Sequence, residues 1–506
     1  MSADPIAPPS DRLVSSGIDG IDRILCGGLP PQCFYLIQGD PGAGKTTLAM
    51  QFLLEGRRRG EQVFYITLSE TEAELQRVAR SHGWTLEGIK LLELSTLEGL
   101  LRPETQTSIF HASELQLSNL TRLLLEELRT HRPVRVVFDS LSEFRLMAET
   151  PLRYRHQLLS LKQEFAKHGS TVLLLDDKMD SPRAGPDTHV LSLAHGVLEM
   201  EQLSPEYGRS RRRLRFLKMR GVNFREGYHD YVIETGGLRV FPRLVAGEHH
   251  ASFVREPVPS GIEELDAVLG GGLDRGTTTL VLGQAGTGKS TLALQYASQL
   301  ARRGEKSCIF AFDETRDTIL GRATKLGLDF EEHVNRRLVT LQQLEPAEVS
   351  PGEFASRVAE AVASGCRLVV IDTLNGYLNA MPGERYLNNQ LHELSAYLNQ
   401  QGALTMFVLT QSGVIQNAES PVDLSYLADT VVSLRYFEVA GTVRKALSVI
   451  KKRSGMHEST IRELKLERGR GISVGPPLRE FQGVLTGVPV FHGNLQQMLP
   501  SADGVD

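Results

Sequence analysis

The chain has 506 residues, 41% of them hydrophobic and 23% charged. That is ordinary globular composition with length for two or three domains, and it excludes collagen-like, wholly disordered and disulfide-stapled classes. Lysine and arginine number 56 against 61 aspartates and glutamates, a formal net charge of −5, whereas a general nucleic-acid coat needs a basic excess.

Residues 1–13 begin Met1-Ser2-Ala3-Asp4-Pro5. They have neither a basic n-region nor an apolar h-region, and they read as a short disordered tail rather than a signal peptide. No apolar run approaches the ~20 residues of a membrane-spanning helix, so a cytoplasmic protein without membrane contact is expected. Phe34-Tyr35-Leu36-Ile37-Gln38 reads as a buried strand, and Thr46 to Arg59 as a helix with Leu48, Ala49, Phe52 and Leu53 on its apolar side. Further strands are expected at Gln62–Leu68, Val134–Phe138 and Thr171–Leu175. The same succession returns at Thr279–Leu282, Cys308–Phe312, Leu368–Ile371 and Met406–Leu409. Runs that are apolar on both faces, separated by helices, predict an α/β fold with a mainly parallel sheet covered on both sides.

The chain is a duplication. Ser16-Gly17-Ile18-Asp19-Gly20-Ile21-Asp22 recurs as Ser260-Gly261-Ile262-Glu263-Glu264-Leu265-Asp266, and each copy runs into Gly-Gly-Leu, at Gly27 and Gly271. Lys45 and Lys289 keep the same offset, as do Glu70 and Glu314; Asp139 and Asp372, Lys218 and Lys451, and Arg220 and Arg453 share a slightly shorter one. The expected organisation is a first domain over 14–247, a linker over 248–258 and a second domain over 259–471. An extension over 472–506, rich in glycine and proline, is expected to be irregular. Cys26, Cys33, Cys308 and Cys366 form no Cys-x-x-Cys pair, which leaves small buried thiols in a reducing compartment.

Two phosphate-binding loops stand out. Gly39-Asp40-Pro41-Gly42-Ala43-Gly44-Lys45-Thr46, followed by Thr47, and Gly283-Gln284-Ala285-Gly286-Thr287-Gly288-Lys289-Ser290, followed by Thr291, each succeed a strand and open a helix. Glycine lets backbone N–H groups curl around phosphates, and the helix N-terminus adds positive potential. Lys45 and Lys289 would reach the β- and γ-phosphates of ATP, with Thr46 and Ser290 placing hydroxyls on Mg²⁺. Asp139 and Asp372 end apolar strands and read as Walker B carboxylates for the same ion, the alternative being helix caps. Glu70 in the first copy, and Asp313 and Glu314 in the second, sit at a further strand tip, where a carboxylate can orient or deprotonate the nucleophile. Lys218 and Arg220, and Lys451 and Arg453, alternate along a late strand and can reach a neighbour's γ-phosphate. Asp176-Asp177 and Thr410-Gln411 are weaker candidates for sensing that phosphate.

With both loops, both Walker B strands, the Glu-Thr tips and the Lys-x-Arg pairs, the chain resembles the KaiC family, circadian-clock ATPases and autokinases on a RecA-like fold. The resemblance covers roughly Val14 to Gly471. It implies two tandem RecA-like domains, a homohexamer with ATP at subunit interfaces, ATP hydrolysis in the first ring and serine/threonine autophosphorylation in the second. The acceptor pair of the family falls on Ser425 and Tyr426, so one hydroxyl acceptor is kept and the other becomes tyrosine. Ser69 stands where clock members carry a second carboxylate. The tail from Gly475 does not resemble the segment that receives KaiA, so KaiA is not expected; a KaiB-like protein or a sensor kinase remains open. Two other readings stand beside this one. A RecA/RadA-like or DnaB-like DNA-dependent ATPase finds its support in the basic run Arg209-Ser210-Arg211-Arg212-Arg213-Leu214-Arg215. A nucleotide-gated scaffold would bind ATP with little turnover.

Overall fold

The computed structural model describes residues 13–93, 112–148, 150–178, 188–205, 207–345, 347–379, 386–411, 425–439, 441–484 and 490–491. The tail at 1–12 and much of the C-terminal extension lie outside these residues. The chain forms two units, which meet in sequence at Arg243 and Leu244.

The first unit carries nine strands: β1 (Phe34–Gly39), β2 (Val63–Thr67), β3 (Lys90–Glu93), β4 (Arg135–Asp139), β5 (Thr171–Asp177), β6 (Gly196–Leu203), β7 (Arg211–Met219), β8 (His229–Glu234) and β9 (Gly237–Phe241). Their order in the sheet is β3-β2-β4-β5-β1-β6-β7-β8-β9. Pairing is parallel from β3 to β6 and antiparallel from β6 to β9. Alternation along the central strands supplies two cores. Tyr35, Ile37, Val137 and Leu173 pack with Leu48 and Phe52 of the helix Lys45–Arg58. Phe34, Leu36, Val136 and Val172 pack with Leu124, Phe144, Leu158 and Phe165 on the other face. Each fully buried side chain of this kind contributes about 1.5–3 kcal/mol, which is why these strands tolerate no polar alternation.

The second unit opens with the short pair β10 (Pro257–Val258) and β11 (Leu273–Asp274). Its main strands are β12 (Thr278–Gly283), β13 (Lys306–Ala311), β14 (Val339–Gln343), β15 (Cys366–Asp372), β16 (Leu404–Thr410), β17 (Thr430–Val439), β18 (Thr442–Lys452), β19 (Arg462–Glu467) and β20 (Gly471–Pro477). Their order, β14-β13-β15-β16-β12-β17-β18-β19-β20, repeats that of the first unit strand for strand. Two tandem α/β domains are thus present, as the alternation of strands and helices predicts, and both are RecA-like, as the resemblance implies.

Two local expectations need correction. Residues 471–477 are not irregular: β20 pairs antiparallel with β19 at the sheet edge, where proline's missing N–H is tolerated. Nor are all four thiols buried. Cys308 and Cys366 are, but Cys33 is half-buried and Cys26 is exposed, because it occupies a positive-φ turn after a one-turn helix. Among the described residues no helix is long and apolar enough to cross a membrane.

Candidate functional site

In each domain the chemistry gathers at the carboxyl ends of the parallel strands, where open α/β sheets bind ligands. Gly39 pairs with Asp177 and Thr67 with Asp139, so the tips of β1, β5, β2 and β4 share one rim. In the second domain Gly283 pairs with Thr410 and Ala311 with Asp372.

Both loops curl in the same way. Gly42 and Gly44 have φ of 80° and 94°, and Gly286 and Gly288 of 80° and 107°. These left-handed values are cheap only for glycine. Gly44 and Gly288 occupy the N-cap position of 14-residue helices without a side-chain cap, so the first turn leaves its N–H groups facing the loop. That open amide cradle fits a phosphate chain. A tyrosine from the antiparallel part of the sheet holds each loop: Tyr231 donates to the Ala43 carbonyl at 2.6 Å and Tyr436 to the Ala285 carbonyl at 3.2 Å. Asp40 turns its carboxylate away to accept from the Gln202 amide at 2.9 Å. Thr47 and Thr291 are buried, with Thr47 Oγ1 beside His82 Nε2 at 3.5 Å.

Lys45 Nζ donates to the Gly39 and Asp40 carbonyls at 2.9 and 3.0 Å and forms an ion pair with Asp177 at 2.8 Å. Lys289 Nζ donates to the Gln284 carbonyl at 2.8 Å. Asp139 and Asp372 are 7% and 8% exposed, and burial pushes both carboxyls up, Asp372 to about 6. Tyr65 donates to Asp139 Oδ2 at 2.7 Å, and the Ser290 hydroxyl engages Asp372. The peptide after each carboxylate, Asp139–Ser140 and Asp372–Thr373, is cis. One buried carboxylate and one hydroxyl suit Mg²⁺, which keeps waters and phosphate oxygens as further ligands. Among the described residues there is no cluster of three or more His, Cys, Asp or Glu to cage a metal alone.

The tip carboxylates are not helix caps. Thr71 and Thr315 cap the helices that follow. Glu70 is left with a buried Oε2 that has no hydrogen-bond partner. Burial first, then the charges of Asp139, Glu74 and Asp177, lift its carboxyl to about 7. Glu314 differs: Arg322 grips both its oxygens at 2.7 Å. Asp313 accepts from the Thr373 hydroxyl.

The Lys-x-Arg pairs lie elsewhere. Lys218 pairs with Val197 and Lys451 with Val431, at the amino-terminal starts of β6 and β17. The loops stand at the opposite, carboxyl-terminal edge of the same sheets. Lys218 Nζ donates to the Leu191 and Ala194 carbonyls at 2.9 and 2.8 Å. Lys451 Nζ donates to those of Ser425 and Ala428 at 3.0 and 2.8 Å. Arg220 and Arg453 sit just past their strands and are exposed. Arg453 reaches the Tyr426 carbonyl at 3.3 Å and Asp429 at 3.8 Å. Ser425 and Tyr426 form the turn that enters β17, with Tyr426 50% exposed. Asp176, one of the weak sensor candidates, is buried and tied to Ser142 and Arg145 at 2.9 and 2.6 Å.

Tyr65 and Arg322 were beyond the reach of motif reasoning, since Ile309 and Val78 occupy the matching positions of the repeat. Asp177 is a weak phosphate-sensing candidate in the sequence, but its ion pair with Lys45 emerges only in the fold.

The family model of the KaiC ATPase matches residues 14–245 and 258–479. The circadian clock protein KaiC3 of Synechocystis sp. is 26% identical over 486 residues, covering 94% of each chain. The circadian clock oscillator proteins KaiC of Thermosynechococcus vestitus and Synechococcus elongatus are each 27% identical. The first aligns over 493 residues, 94% of this chain and 92% of its own, and the second over 490 residues, 93% and 91%. With the tandem fold and the doubled loop-and-carboxylate crevice, these matches show that the chain belongs to the KaiC family of ATPases.

Proposed function

We propose that both domains bind ATP, that the first hydrolyses it, and that the second transfers the γ-phosphoryl group to Ser425 of a neighbouring copy in a homohexamer. The observation that carries the ATP reading is the crevice found twice. Loop amides, a lysine, a buried carboxylate and a further tip carboxylate share one rim in each domain; the Ser290 hydroxyl engages Asp372 in the second, and Tyr65 stands between Thr46 and Asp139 in the first. A Mg²⁺ ion held by Thr46 with Asp139, and by Ser290 with Asp372, would neutralise charge on the β- and γ-phosphate oxygens. Glu70, near neutrality in its protonation, suits a residue that orients a water and takes up its proton.

For transfer, the Ser425 Oγ–P bond forms while the bridge from the γ-phosphorus to the β-phosphate breaks. ADP leaves and the hydroxyl proton passes to Asp313 or Glu314, the latter paired with Arg322 through both oxygens. Ser425 lies at the amino edge of β17, and the domain's own loop at the carboxyl edge of neighbouring β12. This separation supports transfer between subunits, with Arg220 and Arg453 reaching a neighbour's phosphates from that same edge. Lys218 and Lys451 hold the turns before β6 and β17.

The basic run that favours the DNA-motor reading is partly neutralised. Arg213 and Arg215 pair with Glu201 and Glu199 at 2.8 and 2.6 Å, and both guanidinium groups lie over the Tyr228 ring.

Incubation with Mg²⁺-ATP, followed by mass spectrometry of the peptide spanning Ser425 and Tyr426, tests the proposal. Phosphate on Ser425, absent in Lys289→Ala, is the expected result. An unmodified peptide while ADP accumulates would leave an ATPase whose signal is its nucleotide state alone.

A further inference from the structure

The lysine of the first loop already has an anion. Lys45 Nζ lies 2.8 Å from Asp177 Oδ1, and the Asp177 side chain is 49% exposed while that of Lys45 is 12% exposed. Asp177 is the last residue of β5 and stands beside Gly39, the residue that opens the loop. At the matching place beside Gly283 the second domain has Thr410, whose side chain carries no charge. The surroundings reinforce the contrast. Asp177 shares its rim with Glu70 and Asp139, and it and Asp139 both act on the one loop lysine. In the second domain Arg322 adds a guanidinium beside Glu314.

We propose that Asp177 is a specificity-determining residue of the first nucleotide site, an internal anion that an arriving γ-phosphate must displace from Lys45. One ammonium cannot serve both groups at full strength. Once displaced, the carboxylate stays on the rim and repels the phosphate oxygens that replaced it. Asp177 therefore weakens ATP at the first site and narrows that site's preference for ATP over ADP, because ADP brings no γ-phosphate to the lysine. This inference rests on reading the loops as ATP sites.

The test uses full-length protein carrying Lys289→Ala, so that only the first site reports, titrated with N-methylanthraniloyl-ATP and N-methylanthraniloyl-ADP. Adding Asp177→Asn should tighten ATP about fivefold, the scale of a partly exposed ion pair, and ADP by less than about twofold. In a Lys45→Ala background, Thr410→Asp should weaken ATP at the second site by a similar factor. Unchanged ATP affinity on Asp177→Asn, while Lys45→Ala still abolishes binding at the first site, would overturn the role of Asp177 alone. If Lys45→Ala also leaves that binding intact, the loop assignment falls and takes this inference with it.

Discussion

Glu70 and Glu314 hold the same place in the repeat but live in different electrostatic worlds. Eight residues along the following helix, Arg322 neutralises Glu314, where the first domain has Val78. Glu70 has no such cation and faces Asp139, Glu74 and Asp177 instead. Its carboxyl is raised from 4.5 to about 7, with burial the largest cause. The folded, nucleotide-free domain thus keeps a proton that the unfolded chain loses, and stability falls as pH rises between those two values. Partial exposure limits the effect to about 1–2 kcal/mol. Glu70→Gln should remove it, so that the variant gains on the parent at pH 8 and matches it near pH 4.5. The single tryptophan, Trp84, packs in the first domain and reports that domain's guanidinium midpoint. An equal gain at both pH values would show that charge is not the cause. The glutamate itself was readable from its strand tip. Its proton affinity was not, because the groups that set it come from β4, β5 and the next helix.

At the level of elements, the helix behind the first loop carries a glycine at position 56, where the second has Leu300. A Cβ at Gly56 would meet Arg135 Cδ at 2.6 Å. Arg135 starts β4 and is fully buried; it donates to the Ser15 and Phe52 carbonyls at 2.7 and 2.9 Å, pairs with Glu61 and lies over the Phe52 ring. The second domain has Leu368 there, buried with Leu300 in one core. Glycine with arginine and leucine with leucine are two solutions to one helix–strand contact. Gly56→Leu alone overpacks and Arg135→Leu alone leaves a void, each costing about 2–3 kcal/mol. Together they should restore much of the loss, with a coupling of at least about 1.5 kcal/mol in Trp84-monitored unfolding. Additive losses would contradict this complementarity. Strands, helices and their order were legible here because apolar periodicity is local. The Gly56–Arg135 match was not, since it joins residues distant in the chain and only one copy uses it.

For the whole molecule, the decisive feature is direction along the sheet. β12 and β17 run parallel, with Thr279 beside Thr430 and Gly283 beside Leu434. The Ser425 turn and its Lys451 clamp sit at one edge, and the phosphate loop at the other. Transfer within one subunit would have to cross the sheet. Mixing settles the direction: Lys289→Ala protein keeps Ser425 but lacks the loop lysine, and Ser425→Ala protein keeps the loop but lacks the acceptor. Their mixture with Mg²⁺-ATP should place phosphate on the Lys289→Ala chains at about half the parental extent, given statistical pairing of subunits. No phosphate on those chains, with the parent still modified, would mean transfer within the subunit.

The duplication, both loops, both Walker B strands, the tip carboxylates and the α/β class were all present in the linear pattern. Each rests on short-range chemistry: glycine spacing for a loop, an apolar run for a buried strand, a carboxylate at its end. What those groups do to one another depended on folding. The Lys45–Asp177 pair, the Arg322 grip on Glu314, the Tyr65 bond to Asp139 and the separation of Ser425 from its own loop all bring together residues far apart in the chain. Electrostatic energies depend on distances through space, and neither composition nor periodicity encodes them.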